Sequence, residues 1–214
     1  MGNIPILIRR EVEDHAIHFV LAFLLGCISS VIIYVLCSRP ADSAGRLILS
    51  DMTLFFIMGQ LPCLMALDAM ALARVQMAGD RGAKVSAFIC TLTPTRGQLF
   101  IAKWISGLAW VLLAIGPILL MLGFRATQLE LYAPFIKTVM TGVIVMQVTA
   151  YAMGQQIGFL RDKGLILVVG ALFLCLLASL LVIKGFAMPL YAILAVLTVA
   201  LSVRSWWAFQ HMAL

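Results

Sequence analysis

The sequence predicts an all-α, polytopic membrane protein with six transmembrane helices. Of its 214 residues, 64% are hydrophobic and only 11% are charged, and the mean hydropathy is +1.10. A soluble globule of this size cannot bury so much apolar surface. The apolar residues fall into long stretches, and each is expected to be helical because lipid cannot satisfy open backbone polar groups.

The six predicted spans follow one another with short linkers. A hydrocarbon core about 30 Å thick requires about 20 apolar residues in a helix. The stretches that meet this length are Ala16–Cys37, Leu47–Ala73, Leu99–Phe124, Ala133–Leu160, Leu165–Ile183 and Phe186–Val203. We therefore expect residues 1–214 to form a single transmembrane domain without an appended soluble module.

The first span follows a basic amphipathic stretch, Ile4–Asp14, that contains Arg9 and Arg10. The apolar run after it is longer than a typical signal-peptide core, and no A-x-A-like cleavage site follows that run. We interpret it as a retained first span. The five cysteines are scattered and form no C-x-x-C motif, so they are expected to be small buried side chains.

The distribution of basic residues predicts the orientation, because Lys and Arg concentrate in cytoplasmic loops. One side of the membrane, with both termini and the second and fourth loops, holds ten of the fifteen: Arg9, Arg10, Arg74, Arg81, Lys84, Arg96, Lys103, Arg161, Lys163 and Arg204. The other side holds Arg39, Arg46, Arg125, Lys137 and Lys184. This bias predicts a multi-pass protein of the plasma (bacterial inner) membrane with both termini in the cytoplasm. The expected environment of its basic residues is lipid, not nucleic acid.

The loop between the second and third spans is the most informative segment for function. It contains apolar residues at the spacing of one helical face, Val85, Phe88, Ile89 and Leu92. Charged residues precede this face at Asp80, Arg81 and Lys84, and Pro94 ends the run. We expect a short amphipathic helix that docks into a groove on a partner protein. A helix resting on lipid phosphates and an unstructured loop are the alternatives.

This loop resembles the one between the second and third helices of type 2 ABC exporter permeases. In that family D/E-R-x-x-G precedes an apolar helix, and R-x-x-L-x-x-x-K enters the next span after a Pro-x-x-Arg stretch. Asp80-Arg81 matches the opening, and the close is matched at the same spacing by Arg96, Leu99 and Lys103. The chain departs from the pattern by having Lys84 at the glycine position, Ala87 at a usually acidic position, and Pro94 two residues before Arg96 instead of three.

The resemblance implies a coupling helix that binds a separate ATP-binding cassette ATPase through Asp80, Arg81, Lys84, Val85, Phe88, Ile89, Leu92 and Arg96. It also implies an interfacial elbow helix at Ile4–Asp14 and pairing with a second six-helix permease as a homodimer or heterodimer. ATP and Mg²⁺ would bind the ATPase, because this chain has no Walker A motif and is not expected to be an enzyme or to bind a cofactor. A haem-exporter-like permease of cytochrome c biogenesis is a narrower version of this hypothesis.

Polar residues inside the spans are candidates for structure or for function. Asp68 is expected either to snorkel toward the cytoplasmic side or to form a structural ion pair with Lys103, with gating or substrate contact as the alternative. The fourth span carries Gln147, Gln155 and Gln156 around a small-xxx-small pattern, Gly154-x-x-x-Gly158. This pattern favours close helix packing, and a lining role along a transport path is the other interpretation.

Two other function classes are weighed against transport. An intramembrane enzyme requires a catalytic constellation, but Asp51 and Asp68 would lie about 25 Å apart on one helix at 1.5 Å per residue. His15 and His18 share a helical face without a third ligand, so neither catalytic nor metal-binding residues are predicted. A non-transporting membrane scaffold or assembly factor is the remaining alternative.

Overall fold

The computed structural model describes residues 4–37, 44–79, 95–125, 133–159, 170 and 187–211. Every regular element within these residues is a helix, so the predicted all-α class is confirmed for them. The helices in chain order are α1 Ile4–Asp14, α2 Ala16–Cys37, α3 Ala44–Gly79, α4 Arg96–Arg125, α5 Ala133–Phe159 and α6 Ala187–Gln210.

Three of the described helices contain segments long and apolar enough to cross a membrane: Leu61–Ala78 in α3, Arg96–Met121 in α4 and Pro189–Gln210 in α6. Helix α1 and the first part of α2, Ala16–Ile32, satisfy the same test as a pair and are bent by 74° at their junction. The chain therefore has helices suited to a membrane protein. The predicted span Leu165–Ile183 lies outside the described residues except for Gly170.

Helix α1 has one buried side and one exposed, charged side. Leu7 is buried in a cluster with residues from the ends of other helices, which include Met77 and Phe209. On the exposed side, the Arg9 Nε donates to Glu13 Oε1 at 2.7 Å, and this hydrogen bond raises the pKa of the guanidinium. Exposed pairs of this kind contribute little stability, so α1 is held by its buried side, where Leu7 packs and Glu11 pairs with Lys103 of α4.

The main core lies between α3, α4 and α5, with part of α2 against it. Its fully buried side chains include Met65, Ala69 and Met70 of α3, Trp110 and Ala114 of α4, and Met146, Ala150 and Tyr151 of α5. Small alanines and flexible methionines together make up much of this core, and methionine adapts its shape to irregular gaps.

Helices α3 and α5 approach each other closely where α5 carries glycine. An added Cβ on Gly154 would overlap the backbone carbonyl oxygen of Met70 and lie 2.8 Å from the Ala73 Cβ. An added Cβ on Gly158 would lie 2.6 Å from the Met77 Cβ. The close packing predicted from Gly154-x-x-x-Gly158 is therefore confirmed.

The contacts also give the relative directions of the helices. Gln147 contacts Pro62 and Gly154 contacts Met70, so α3 and α5 are parallel. Helix α6 runs in the same direction, because Thr149 pairs with Thr198 and Gln156 with Ser205. Helix α4 runs opposite to α3, because Trp110 meets Asp68 while Lys103 meets Gln76. It runs parallel to α2, because Trp110 meets His18 while Ala114 meets Gly26.

One end of this bundle, called here the α1 end, collects the termini of several helices. Its buried cluster consists of Leu7, Met77, Leu99, Phe100, Ala102 and Phe209, and Phe159 packs against it. These residues come from α1, the end of α3, the start of α4 and the ends of α5 and α6. The α1 end therefore carries the points at which residues 80–94 leave α3 and enter α4.

Three helices extend farther than the predicted spans at the α1 end. Helix α3 continues past Ala73 to Gly79, α6 continues past Val203 to Gln210, and α4 begins at Arg96, before the predicted start at Leu99. Polar residues in these extensions, Gln76 and Ser205, are buried and hydrogen-bonded. Hydropathy places a span end at such residues, whereas hydrogen bonding lets the helix continue with them inside.

Candidate functional site

The α1 end contains a buried ion pair at Lys103, in the second turn of α4. The Lys103 Nζ donates to Glu11 Oε1 and to the backbone carbonyl oxygen of Gln76, both at 2.8 Å. The lysine side chain is 1% exposed and the Glu11 side chain 13%. A buried ammonium without a partner is strongly unfavourable, so this lysine requires α1 to be seated on the bundle.

The side chain of Gln76 extends this ion pair into a network across four helices. Its Nε2 donates to Ser106 Oγ at 2.9 Å, and its Oε1 accepts from the Tyr151 hydroxyl at 2.7 Å. The same hydroxyl lies 2.6 Å from the carbonyl oxygen of Lys103. We call Glu11, Gln76, Lys103, Ser106 and Tyr151 the Lys103 network; it joins α1, α3, α4 and α5.

The Tyr151 ring reaches this network because α4 has glycine beside it. An added Cβ on Gly107 would overlap the ring of Tyr151, and Trp104 packs edge-on against the same ring at 5.5 Å between centroids. Buried polar networks of this kind rigidify the elements that they join when their members are satisfied. The ends of α3 and α4 are therefore held to each other next to residues 80–94.

Asp68 forms a second buried polar cluster, farther along the bundle. Its Oδ1 lies 2.7 Å from His18 Nδ1, and its Oδ2 accepts from the Trp110 Nε1 at 3.1 Å. The Trp110 Nε1 is also 3.1 Å from the carbonyl oxygen of His18. This cluster joins α2, α3 and α4.

The predicted pairing of Asp68 with Lys103 is wrong. Asp68 lies level with Trp110, which is about two turns from Lys103 along α4. Lys103 is instead level with Gln76 and pairs with Glu11. The sequence locates these charged residues in the chain but not their positions along the bundle axis. It also does not show that α1, bent by 74° relative to α2, brings the Glu11 carboxylate to Lys103.

The three glutamines of α5 differ in their surroundings. Gln147 Nε2 donates to the carbonyl oxygen of Pro62 at 2.9 Å, which ties α5 to α3. Gln156 Nε2 donates to the Leu201 carbonyl oxygen and to Ser205 Oγ, both at 2.7 Å, which ties α5 to α6. Gln155 is fully buried, and its amide makes no hydrogen bond to another of the described helices.

Helix α4 begins with a capping arrangement that the sequence analysis missed. The Thr95 Oγ1 accepts from the backbone N–H of Gln98 at 3.3 Å, and the Gln98 side-chain Oε1 accepts from the backbone N–H of Thr95 at 3.1 Å. The T-x-x-Q sequence was the available signal for this capping box. It fixes the residue at which the segment 80–94 gives way to α4.

Arg96 is the one predicted partner-binding residue within the described part of the chain. Its Nη1 donates to the backbone carbonyl oxygen of Gln210, at the last residue of α6. The other predicted partner-binding residues lie outside the described residues: Asp80, Arg81, Lys84, Val85, Phe88, Ile89 and Leu92.

Glu11, His18 and Trp110, the partners of the buried charges, were not predicted from the sequence. The available signal was the presence of Lys103 and Asp68 themselves, because an ionisable residue inside an apolar bundle needs a partner on another helix. Within the described ranges, no group of three or more His, Cys, Asp or Glu side chains is placed to hold a metal ion.

The fold and the site define a helical membrane protein whose helix ends are joined by buried polar contacts at the α1 end. Comparison of the chain with protein-family models, with curated proteins and with solved structures finds no match.

Proposed function

We propose that the chain is the membrane-spanning permease subunit of an ATP-driven exporter, coupled to a separate ATPase that docks on residues 80–94. The observation that carries the proposal is the Lys103 network. It joins the end of α3 to the start of α4, the two helices that flank the docking segment. A force applied to that segment acts on both helices together.

The network also suggests how such a force would spread. Lys103 connects α4 to α1 through Glu11, and Tyr151 connects α4 to α5. Because these contacts are buried and hydrogen-bonded, the four helix ends would move as one unit when two ATPase subunits close on ATP. The part of this chain is conformational, with ATP and Mg²⁺ held by the ATPase.

The helix directions support six crossings of the membrane. Helices α5 and α6 are parallel neighbours, since Val145 packs near Leu190 and Gln156 bonds Ser205. The end of α5 and the start of α6 therefore lie at opposite ends of the bundle. The predicted span Leu165–Ile183 is long enough to cross a membrane, and its one described residue, Gly170, lies beside Met70 and Met153.

The proposal extends to the partners and the compartment. Six helices per chain favour a pair of permeases, either two copies or a paralogue, around one transport path. The same resemblance favours a bacterial inner-membrane location with the docking segment in the cytoplasm. A scaffold without transport would share the fold but would have no reason to hold an ATPase.

The decisive experiment is affinity purification of the tagged chain from its native membranes in mild detergent. We expect a protein with a Walker A motif to co-purify with the wild type. Burying a Phe contributes about 1.5–3 kcal/mol, so Phe88→Ala should lower recovery of that ATPase about tenfold or more. Phe23→Ala, at an exposed position of α2, is the matched control and should retain it.

Two other results of this purification would contradict all or part of the proposal. If no ATPase is recovered with the wild type, the exporter proposal is wrong and the scaffold becomes the better explanation. If Phe88→Ala and Phe23→Ala recover the ATPase equally well, the chain is a permease but Phe88 is not its anchor.

A further inference from the structure

Helix α6 lies at the edge of the described bundle. Only 17% of its membrane-spanning segment is buried, and one side carries exposed apolar residues, Ile193, Val196, Val199 and Val203. Its opposite side is attached to α5 by polar contacts, among them Thr198 with Thr149 and Ser205 with Gln156. Within the described residues, α6 is therefore attached to the bundle along one side.

The last turns of α6 make a second attachment, to the first turns of α4. The ring of Trp206 packs edge-on against the ring of Phe100 with 5.1 Å between centroids. Phe209 also packs against the Phe100 ring, at 5.8 Å between centroids. Gly97 leaves room for the indole, because an added Cβ there would lie 3.2 Å from the Trp206 Cη2. The aromatic contacts thus seat the end of α6 directly on the start of α4.

Arg96 adds an electrostatic contact at the same place. The last carbonyl groups of a helix have no partner within it and form its negative end. The Arg96 guanidinium donates to one of them, on Gln210. The start of α4 is capped separately by Thr95 and Gln98, so Arg96 serves the end of α6 and not its own helix.

We propose that this contact, the C-terminal clamp of Arg96, Gly97, Phe100, Trp206, Phe209 and Gln210, transmits movement of the docking segment to α6. The inference rests on the proposed exporter function. Arg96 is the first residue of α4 after that segment, so displacement of the segment moves the guanidinium and the carbonyl that it binds. Arg96 is then a positioning residue for α6, in place of the predicted role at the rim of the ATPase contact.

Hydrogen exchange measured by mass spectrometry tests the clamp in the purified permease–ATPase complex. Exchange is compared between the nucleotide-free complex and the complex trapped with ATP and orthovanadate, for peptides covering residues 97–106 and 204–211. In the wild type we expect trapping to change exchange in both peptides. In Arg96→Gln the change at 204–211 should be lost while that at 97–106 persists. Arg96→Lys, which keeps the charge, should retain the change at 204–211.

A second pair of variants tests the aromatic half of the clamp without altering Arg96. Trp206→Leu should lose the nucleotide-dependent change at 204–211, whereas Trp207→Leu, at a more exposed neighbouring position, should keep it. A purely structural contact would instead raise exchange at 204–211 equally with and without nucleotide and leave the response intact.

The clamp is overturned if Arg96→Gln and Trp206→Leu respond to trapping like the wild type. It is also overturned, with the exporter function still supported, if wild-type trapping changes residues 97–106 but not 204–211. If no ATPase joins the chain, or if trapping changes neither peptide, both proposals fail together.

Discussion

At the scale of single residues, the two buried charged side chains of the described helices, Lys103 and Asp68, each have a partner on another helix. Lys103 pairs with Glu11, and Asp68 pairs with His18 and Trp110. Removal of one partner from a buried pair is far more costly than removal of both, because it leaves an uncompensated charge. This asymmetry gives a direct test of the Lys103 network.

Lys103→Met should destabilise the protein by about 3–5 kcal/mol, because Glu11 is then left without its cation. The double variant Glu11→Gln/Lys103→Met should recover a substantial part of this loss. Thermal midpoints from size-exclusion chromatography of detergent-solubilised protein give the comparison. Arg9→Met, which breaks an exposed pair, is the control and should shift the midpoint little. A Lys103→Met protein as stable as the wild type would contradict the pairing.

Asp68 permits a second test at this scale. Asp68→Asn keeps an acceptor for the Trp110 Nε1, so we expect a mild loss of folded protein. Asp68→Leu removes the carboxylate that His18 and Trp110 share and leaves the Trp110 Nε1 only the His18 carbonyl oxygen, so it should lower the yield strongly. The readout is the recovery of monodisperse protein. If Asp68→Asn assembles and supports ATP hydrolysis by the complex but abolishes transport, a gating role would replace the structural one.

At the scale of helices, their existence follows from hydropathy, but their ends and partners do not. Apolar runs predict the body of each described span, and Gly154-x-x-x-Gly158 predicts a close contact. The predicted spans end at Ala73 and Val203, yet α3 and α6 continue past them, and hydrogen bonds to other helices keep Gln76 and Ser205 inside. Such bonds join residues far apart in the chain, so a local sequence pattern does not contain them.

The α3–α5 contact gives a prediction at this scale. Gly154→Ala should cost about 1–3 kcal/mol through overpacking, since the new Cβ meets the Met70 backbone, which cannot turn aside as a side chain can. Gly116→Ala is the matched control, because an added Cβ there meets nothing within 4 Å. The thermal midpoint of Gly154→Ala should fall below that of the wild type and clearly below that of Gly116→Ala. Equal midpoints would show that the helices are not packed this closely.

At the scale of the whole molecule, the sequence predicted the docking segment by resemblance and the orientation by charge. It did not predict that Arg96 would bind the end of α6, because the two residues are 114 positions apart and the contact depends on how α6 packs against the start of α4. The described contacts bring α1, the flanks of residues 80–94 and the end of α6 to one end of the bundle.

This arrangement predicts that both termini lie on the cytoplasmic side. Leu7 near the amino terminus and Phe209 near the carboxyl terminus share one buried cluster with Met77 and Leu99, which flank the docking segment. The basic residues Arg9, Arg10, Arg74, Arg96 and Arg204 belong to the same end, as the positive-inside rule requires of a cytoplasmic face. A reporter that works only in the cytoplasm should therefore be active when fused to either terminus. A reporter that works only outside should be active when fused after Arg125, at the far end of α4. A carboxyl-terminal reporter active outside would break the parity of six crossings and would place the docking segment where no ATPase can reach it.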